Sequence, residues 1–257
     1  MKKLLIIVGS LLLVIVLGVV ATFVFALAGA SPIVDGKELP SSARIVKDGI
    51  VSADVLTAGD GTFVLIDCGM VKTAEPIVAE LRRHNADASA VKAIFLTHGH
   101  GDHVGGCGAF PKAAIFGLAS ENALLAGQST RHSPLSRFTG NKDTSVRLTR
   151  PLNDGEIIRF GALSITVFAI PGHTDSSAAY LVDGVLYLGD SADSSNKGQL
   201  VPAKWLFSLD QQQNQDSLVR LYRQLEPRAA QVEWLVFSHS GPLRSLASLA
   251  KFANGKS

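Results

Sequence analysis

Thr97-His98-Gly99-His100-Gly101-Asp102-His103-Val104-Gly105-Gly106 is the stretch on which the reading of this chain turns. Three of the seven histidines fall within six positions. A given His-x-His-x-Asp-His pattern arises by chance about 3 times in 10,000 sequences of this composition. The block follows residues 91–96, an apolar run of strand length, so a loop at a strand end can project it. In extended backbone His98 and His100 point the same way and can meet one ion. Asp102 and His103 are adjacent and diverge, which suits a second ion nearby. Glycines at 99, 101, 105 and 106 permit tight backbone turns around the cluster.

Three later segments repeat the plan of apolar strand, ligand-type residue, then Gly or Ser. His173 stands in Pro171-Gly172-His173-Thr174-Asp175 after the run 163–170. Asp190 follows Leu188-Gly189, and His239 stands in Phe237-Ser238-His239-Ser240-Gly241 after the run 234–237. Strand ends that meet on one edge are where α/β proteins assemble their sites.

The rest of the pattern predicts the scaffold. Runs 49–57 and 62–66 flank Gly59-Asp60-Gly61, and runs 178–182 and 185–188 meet at Asp183-Gly184, two hairpin signals. Residues 113–116 form a further strand, and 156–160 and 163–170 are split by Gly161. Helical spacing runs over 73–83 and 243–252, and through Leu218, Leu221, Tyr222 and Leu225 up to Pro227. Residues 126–150 lack periodicity. Strands and helices mixed in this way predict one α/β domain with mixed sheets over residues 49–257. Residues 31–48, polar and holding Pro32, Pro40 and Ser41-Ser42, read as a linker.

Of 257 residues, 24 are Lys or Arg and 22 Asp or Glu, and 47% are hydrophobic, which excludes intrinsic disorder. Residues 1–30 carry two of those charges, Lys2 and Lys3, so the remainder is neutral. A neutral body argues against a nucleic-acid partner. Residues 4–28 hold no charge, and as a helix they would reach ~37 Å, enough for a bilayer core of about 30 Å. They read as a membrane anchor, with removal as a signal after Ala30 (in Ala28-Gly29-Ala30) as the alternative. Lys2 and Lys3 would keep the N-terminus inside and place the domain outside the cytoplasm, in the periplasm or at the cell surface. Cys68 and Cys107 are too few for a disulfide scaffold and read as two small, partly buried thiols, with a disulfide, which an oxidising compartment would allow, as the alternative.

Residues 97–106, with Gly172-His173, Gly189-Asp190 and Ser238-His239, resemble the ordered metal-site motifs of the metallo-β-lactamase-fold hydrolase superfamily. Ile66-Asp67-Cys68-Gly69 resembles the strand-end motif that precedes them, where the family usually reads Asp-Thr-Gly. The resemblance spans about residues 50–240. It implies an αββα sandwich of two mixed β-sheets flanked by helices, with two divalent ions, zinc foremost and Mn²⁺ or Fe²⁺ as alternatives. By the same resemblance His98, His100 and His173 would hold one ion, Asp102, His103 and His239 the other, and Asp190 would bridge them. Relatives that hydrolyse β-lactams generally carry Cys or Ser where Asp190 stands, and the flavodiiron branch carries Glu where His100 stands. The set resembles the glyoxalase II, lactonase and esterase-type branches, although the region after Asp190 is shorter than a glyoxalase II requires.

Two ions could share a water whose pKa falls towards about 7, and the resulting hydroxide would attack an ester, lactone, thioester or similar bond of a small substrate. Asp102 could then take or relay a proton as the catalytic residue, and Asp67 would accept a hydrogen bond from a ligand. A mononuclear iron dioxygenase of the same fold and a non-catalytic metal-binding surface module are the competing readings. His84 reads as a helix-end cation and His132 as a solvated loop residue. The loop 126–150, with Arg131, Arg137 and Phe138, is a candidate lid.

Overall fold

A computed structural model describes residues 2–256, except that the side chains at 2–9, 11, 23, 25–27 and 41 lie outside the described residues. Helix α1 (Lys2–Leu27) precedes the body. Among the described residues no helix is long and apolar enough to cross a membrane. The span expected over 4–28 falls partly on side chains outside the description.

The first sheet is built from β1 (Arg44–Asp48), β2 (Val51–Gly59), β3 (Thr62–Ile66), β4 (Val91–Phe95), β5 (Ala114–Leu118) and β6 (Arg150–Leu152), side by side in that order. Its first three strands are antiparallel and β3 to β6 run parallel. Between them lie α2 (Glu75–Arg83), α3 (Gly101–Val104), α4 (Glu121–Leu125) and α5 (Ser136–Thr139). The second half contributes β7 (Ile157–Phe160), β8 (Leu163–Ala169), β9 (Ala178–Val182), β10 (Val185–Tyr187), a small ribbon of β11 (Ala192–Ser194) and β12 (Leu200–Pro202), α6 (Gln211–Leu225), β13 (Trp234–Val236), β14 (Leu243–Arg244) and α7 (Ala247–Asn254). Its main sheet has the order β14-β13-β10-β9-β8-β7, with β10 and β13 parallel.

Side-chain alternation explains the layering. In β9, Ala178, Tyr180 and Val182 face the core between the two sheets, and Ala179 and Leu181 face the outer helices. The inter-sheet core joins Leu56, Val64, Phe95 and Phe116 to Ile165, Val167 and Tyr180. On the outside, Ile77 and Leu81 of α2 cover Leu65 and Ile94, while Leu218, Leu221 and Leu225 of α6 cover Leu186 and Leu235. Each sheet is thus apolar on both faces, which requires a helical layer on each flank.

Several sequence expectations need correction. Residues 31–48 are not a free linker: Arg44–Asp48 is an edge strand paired with β2, and Leu39 and Ala43 are buried. Its three charges concealed it, and two of them are used structurally. Arg44 pairs with Glu38 and Glu80, and Asp48 accepts from the Met70 and Val71 amides. The run 49–57 starts as strand only at Val51, because Gly49 (φ 69°) makes the turn. The unpatterned stretch 126–150 contains α5 and ends in β6. The expected helix 243–252 begins as β14, since Leu243 pairs with Leu235 and Arg244 lies over the Trp234 ring, and turns helical at Ala247. Cys68 and Cys107 form a disulfide rather than two thiols.

Asp54, on β2, is among the buried groups left with an unpartnered polar atom. It is 5% exposed and its Oδ1 has no hydrogen-bond partner. Burial, with the nearby Asp67 charge, pushes its carboxyl well above the ordinary 3.8. Near and below 3.8 it is protonated whether folded or unfolded. Above that value the unfolded chain gives up the proton first, so stability falls as pH rises through the raised folded value. Asp54→Asn is therefore expected to stabilise the protein by roughly 1–2 kcal/mol at neutral pH and to converge on the parent towards pH 4. Urea midpoints at the two pH values check this; an equal shift at both would contradict it.

Candidate metal centre

All the predicted donors lie at strand ends on one edge of the sandwich. The loop after β4 carries His98 and His100, and α3, which it leads into, carries Asp102 and His103; His173 follows β8, Asp190 follows β10 and His239 follows β13. Close packing demands two of the glycines. A Cβ on Gly106 would stand 2.2 Å from the Cys68 carbonyl oxygen, so only Gly lets the turn after α3 lie against the segment after β3. Gly172, at φ 134°, would place a Cβ 2.2 Å from the Asn214 amide nitrogen, and its freedom lets His173 reach inward beneath α6.

The first triad is His98, His100 and His173. His98 Nε2 lies 3.0 Å from His100 Nδ1, His173 Nε2 is 3.2 Å from His98 Nε2, and His173 Nε2 is 3.1 Å from His100 Nδ1. Nitrogens about 2.0–2.1 Å from a tetrahedral ion lie ~3.3–3.4 Å apart, so the spacing is close to that of a zinc site. The second triad is Asp102, His103 and His239. His239 Nε2 lies 3.3 Å from Asp102 Oδ2, and His103 Nε2 lies 3.8 Å from the same oxygen. Asp190 stands between the two: its Oδ1 is 3.2 Å from His103 Nε2, and its Oδ2 is 3.1 Å from His239 Nε2 and 3.6 Å from His173 Nε2.

Outer hydrogen bonds determine which ring nitrogen faces inward. The Thr97 hydroxyl donates to Asp67 Oδ2, so towards His98 Nδ1, at 3.1 Å, it has only lone pairs to offer. The Ser208 hydroxyl donates to the Lys204 carbonyl and likewise can only accept from His173 Nδ1 at 3.0 Å. His239 Nδ1 donates to the Ile50 carbonyl at 2.7 Å, and His103 Nδ1 donates to Asp67 Oδ2 at 2.8 Å. In the neutral ring each of these four imidazoles therefore presents a bare Nε2 to the centre. Converging lone pairs repel unless a cation, or a proton, lies among them. Two buried centre atoms, His103 Nε2 and Asp190 Oδ1, have no hydrogen bond of sound geometry. Imidazole and carboxylate donors presented this way fit divalent ions such as zinc.

Charge divides the triads. Burial lowers all three imidazoles of the first: His98 well below the ordinary 6.5, with His103 adding to the effect, His100 less far, and His173 to about 3. In the second, burial acts in the same direction but neighbouring carboxylates win. Asp190, Asp102 and Asp67 raise His103 well above 6.5, and Asp190 leads in raising His239 to about 10. Against the effect of burial, His103 and His239 hold Asp102 at about 2, and His239 with His103 keeps Asp190 well below its usual range. The first triad is neutral, whereas the two imidazolium rings of the second are balanced by Asp102 together with Asp190.

The remaining sequence candidates fall outside the cluster. His84 caps α2 and contacts Glu80, and His132 belongs to neither triad. Arg131, in the loop 126–150, pairs with Asp175 and Asp210, while Phe138 is 90% exposed. Sequence reading missed Glu121 and Ser208. Both are ordinary polar residues far from any motif, and only folding brings them to the donors. The Cys68–Cys107 bridge lies directly beneath the centre, since the Cys68 amide donates to the His103 carbonyl at 2.7 Å.

Comparison with known proteins agrees with this geometry. The family model described as Metallo-beta-lactamase superfamily matches residues 47–239. A hydroxyacylglutathione hydrolase of Xanthomonas axonopodis pv. citri (strain 306) is 34% identical over 149 residues, 56% of this chain and 48% of that protein. The chain thus spans about half the length of the curated relatives it matches. Among solved structures, a B3 metallo-beta-lactamase described as the first with an active-site glutamic acid superposes with a TM-score of 0.65 at 21% identity, covering 91% of this chain and 90% of that one. The metallo-beta-lactamase MIM-1 from Novosphingobium pentaromativorans gives 0.61 at 22% identity, covering 88% of each. At these identities the structural likeness speaks for the fold alone. With the family match covering most of its length, from just before the first sheet's main hairpin to His239, the chain belongs to the metallo-beta-lactamase superfamily.

Proposed function

We propose that the chain is a metal-dependent hydrolase that holds two divalent ions, zinc foremost, and cleaves an ester, lactone, thioester or similar bond of a small substrate. The observation that carries this is the pair of donor triads with Asp190 between them. His98, His100 and His173 would hold one ion and Asp102, His103 and His239 the other. Bound divalent ions supply Lewis acidity and bring the pKa of water down to about 7. The chain's own residues do the rest. Asp67 keeps His103 Nδ1 protonated and its Nε2 directed inward. Asp102, with a side chain 30% exposed against 13% for Asp190, is the carboxylate of the centre most open to solvent and relays the proton. Exposed Ile50, whose carbonyl accepts from His239, adjoins the second triad, and exposed Trp205, whose carbonyl accepts from the Ser208 amide, lies near the first, which supports a substrate with an apolar part. The hydroxyacylglutathione hydrolase relative supports thioesters within the class.

The domain is anchored by residues 4–28 and faces out of the cytoplasm. Support comes from the uncharged run and from the described side chains Leu12 to Leu17, which are each about half or more exposed. Contacts with the body begin at once after α1: Ala30 bridges Ser195 and the Ser31 amide donates to the Ser194 carbonyl.

One preparation tests these readings. The full chain is expected in the membrane fraction, to carry two zinc-like ions per chain after detergent extraction, and to turn over members of a panel of lactones, thioesters, β-lactams and phosphodiesters. Chelation should abolish turnover and added Zn²⁺ should restore it. Recovery in the soluble fraction would overturn the anchor. A single iron per chain, or two ions with no hydrolysis of any carbonyl substrate, would overturn the hydrolase.

A further inference from the structure

The first triad is assembled across the sandwich. His98 and His100 come from the loop after β4 in the first sheet, and His173 from the loop after β8 in the second. Their nitrogens nevertheless stand 3.0–3.2 Å apart, so the separation of the two loops must be held to a fraction of an ångström. One backbone hydrogen bond, from the Ala178 amide to the Thr97 carbonyl, joins the loops at their base. Nearer the donors the connection runs through Glu121.

Glu121 opens α4 and is 1% exposed. Its Oε1 accepts from the Gly99 amide at 2.7 Å and from the Thr174 hydroxyl at 3.0 Å. Its Oε2 accepts from the Ser176 hydroxyl at 2.6 Å and from Thr174 again at 3.3 Å. Gly99 is the residue between His98 and His100, and Thr174 directly follows His173. A single carboxylate therefore grips the peptide between two donors with one hand and the neighbour of the third with the other. The grip is itself fixed from behind, because the Thr174 amide donates to Ser177 Oγ at 2.9 Å, and Gly99 runs so close to α4 that a Cβ on it would stand 3.1 Å from Leu125 Cδ2. The second triad has separate supports, Asp67 for His103 and the Ile50 carbonyl for His239.

We propose that Glu121 is a positioning residue that sets the spacing of the first triad, and of that triad selectively, by clamping the two donor loops together. This deepens the metal-centre reading above and rests on it. Outer partners of metal ligands typically contribute about 10–100-fold in metal affinity. Selectivity for one triad separates such a role from a general contribution to folding.

The test measures Zn²⁺ affinity of the full chain by competition with a chelator, in two backgrounds. His239→Ala weakens the second triad and reports the first; His100→Ala weakens the first and reports the second. Glu121→Ala is expected to raise the dissociation constant about 10–100-fold in the His239→Ala background and by less than about threefold in the His100→Ala background. Glu121→Gln should recover most of the loss, because its amide oxygen can accept from Gly99 and its amide nitrogen can donate to Ser176. If Glu121→Ala does not fold, Ser176→Ala carries the test, because it removes the hydrogen bond to Oε2 and is expected to weaken the first triad only. Equal losses in both backgrounds, or none in either, would overturn the assignment. Failure of the parent chain to bind Zn²⁺ would instead overturn the metal reading beneath it.

Discussion

Asp190→Ala is expected to reduce bound metal from two ions per chain to one or fewer and to cut turnover by more than the ~10–100-fold that loss of an outer partner costs. The reason is position. Asp190 lies within 4 Å of donors from both triads, through His173 on one side and His103 and His239 on the other. Its charge also leads the carboxylates that raise His103 and His239 above the ordinary imidazole range. Without it, five imidazoles face one another with less opposing charge, Asp102 and Asp67 remaining beside His103. Asp190→Asn keeps the shape and removes the charge, so it separates the two contributions. Elemental analysis and kcat on the best panel substrate, with near-ultraviolet circular dichroism as a check on folding, measure the effect. Two retained ions with unchanged turnover would remove Asp190 from the centre.

Replacing Cys68 and Cys107 together with alanine is expected to destabilise the protein by about 4 kcal/mol, from the loop entropy of a bridge spanning 39 residues. That is a large share of a typical unfolding free energy of about 5–15 kcal/mol. The bridge ties the residue after Asp67 to a turn four residues beyond His103, so the variant should also bind the second ion more weakly. Both cysteines are buried, and alanine introduces no polar group there. Chemical denaturation midpoints under non-reducing conditions measure the stability term, and zinc competition measures the other. A change below about 0.5 kcal/mol would mean that the unfolded chain gains little freedom when the bridge is lost. Such a bridge also accords with an oxidising compartment, as the proposed outward-facing location requires.

The metal centre was legible in one dimension because its chemistry is dense. Three histidines and an aspartate in six positions leave few alternatives, and His173, Asp190 and His239 each follow an apolar run that could only be a strand. The hairpins at Gly59-Asp60-Gly61 and Asp183-Gly184 were equally local. Each needs only its own few residues to state what it is. The edge strand β1 was not legible, because its Arg44, Lys47 and Asp48 look like a solvated linker until Glu80 and the Met70 amide supply partners. The disulfide was not legible either, since two cysteines 39 residues apart carry no sign of proximity.

What the amino-acid sequence determined by itself was the donor inventory, the strand ends that present it, and the apolar segment before the body. The family resemblance had already sorted those donors into two sets; what only the tertiary structure decided was which ring nitrogen each histidine turns inward and that Ser208 and Glu121 help to hold them there. Asp67, Ser208 and Glu121 act through hydrogen bonds to loops 22 to 55 residues away. Hydrogen bonds of that kind are set by distances in space of about 3 Å, and no spacing along the chain encodes them.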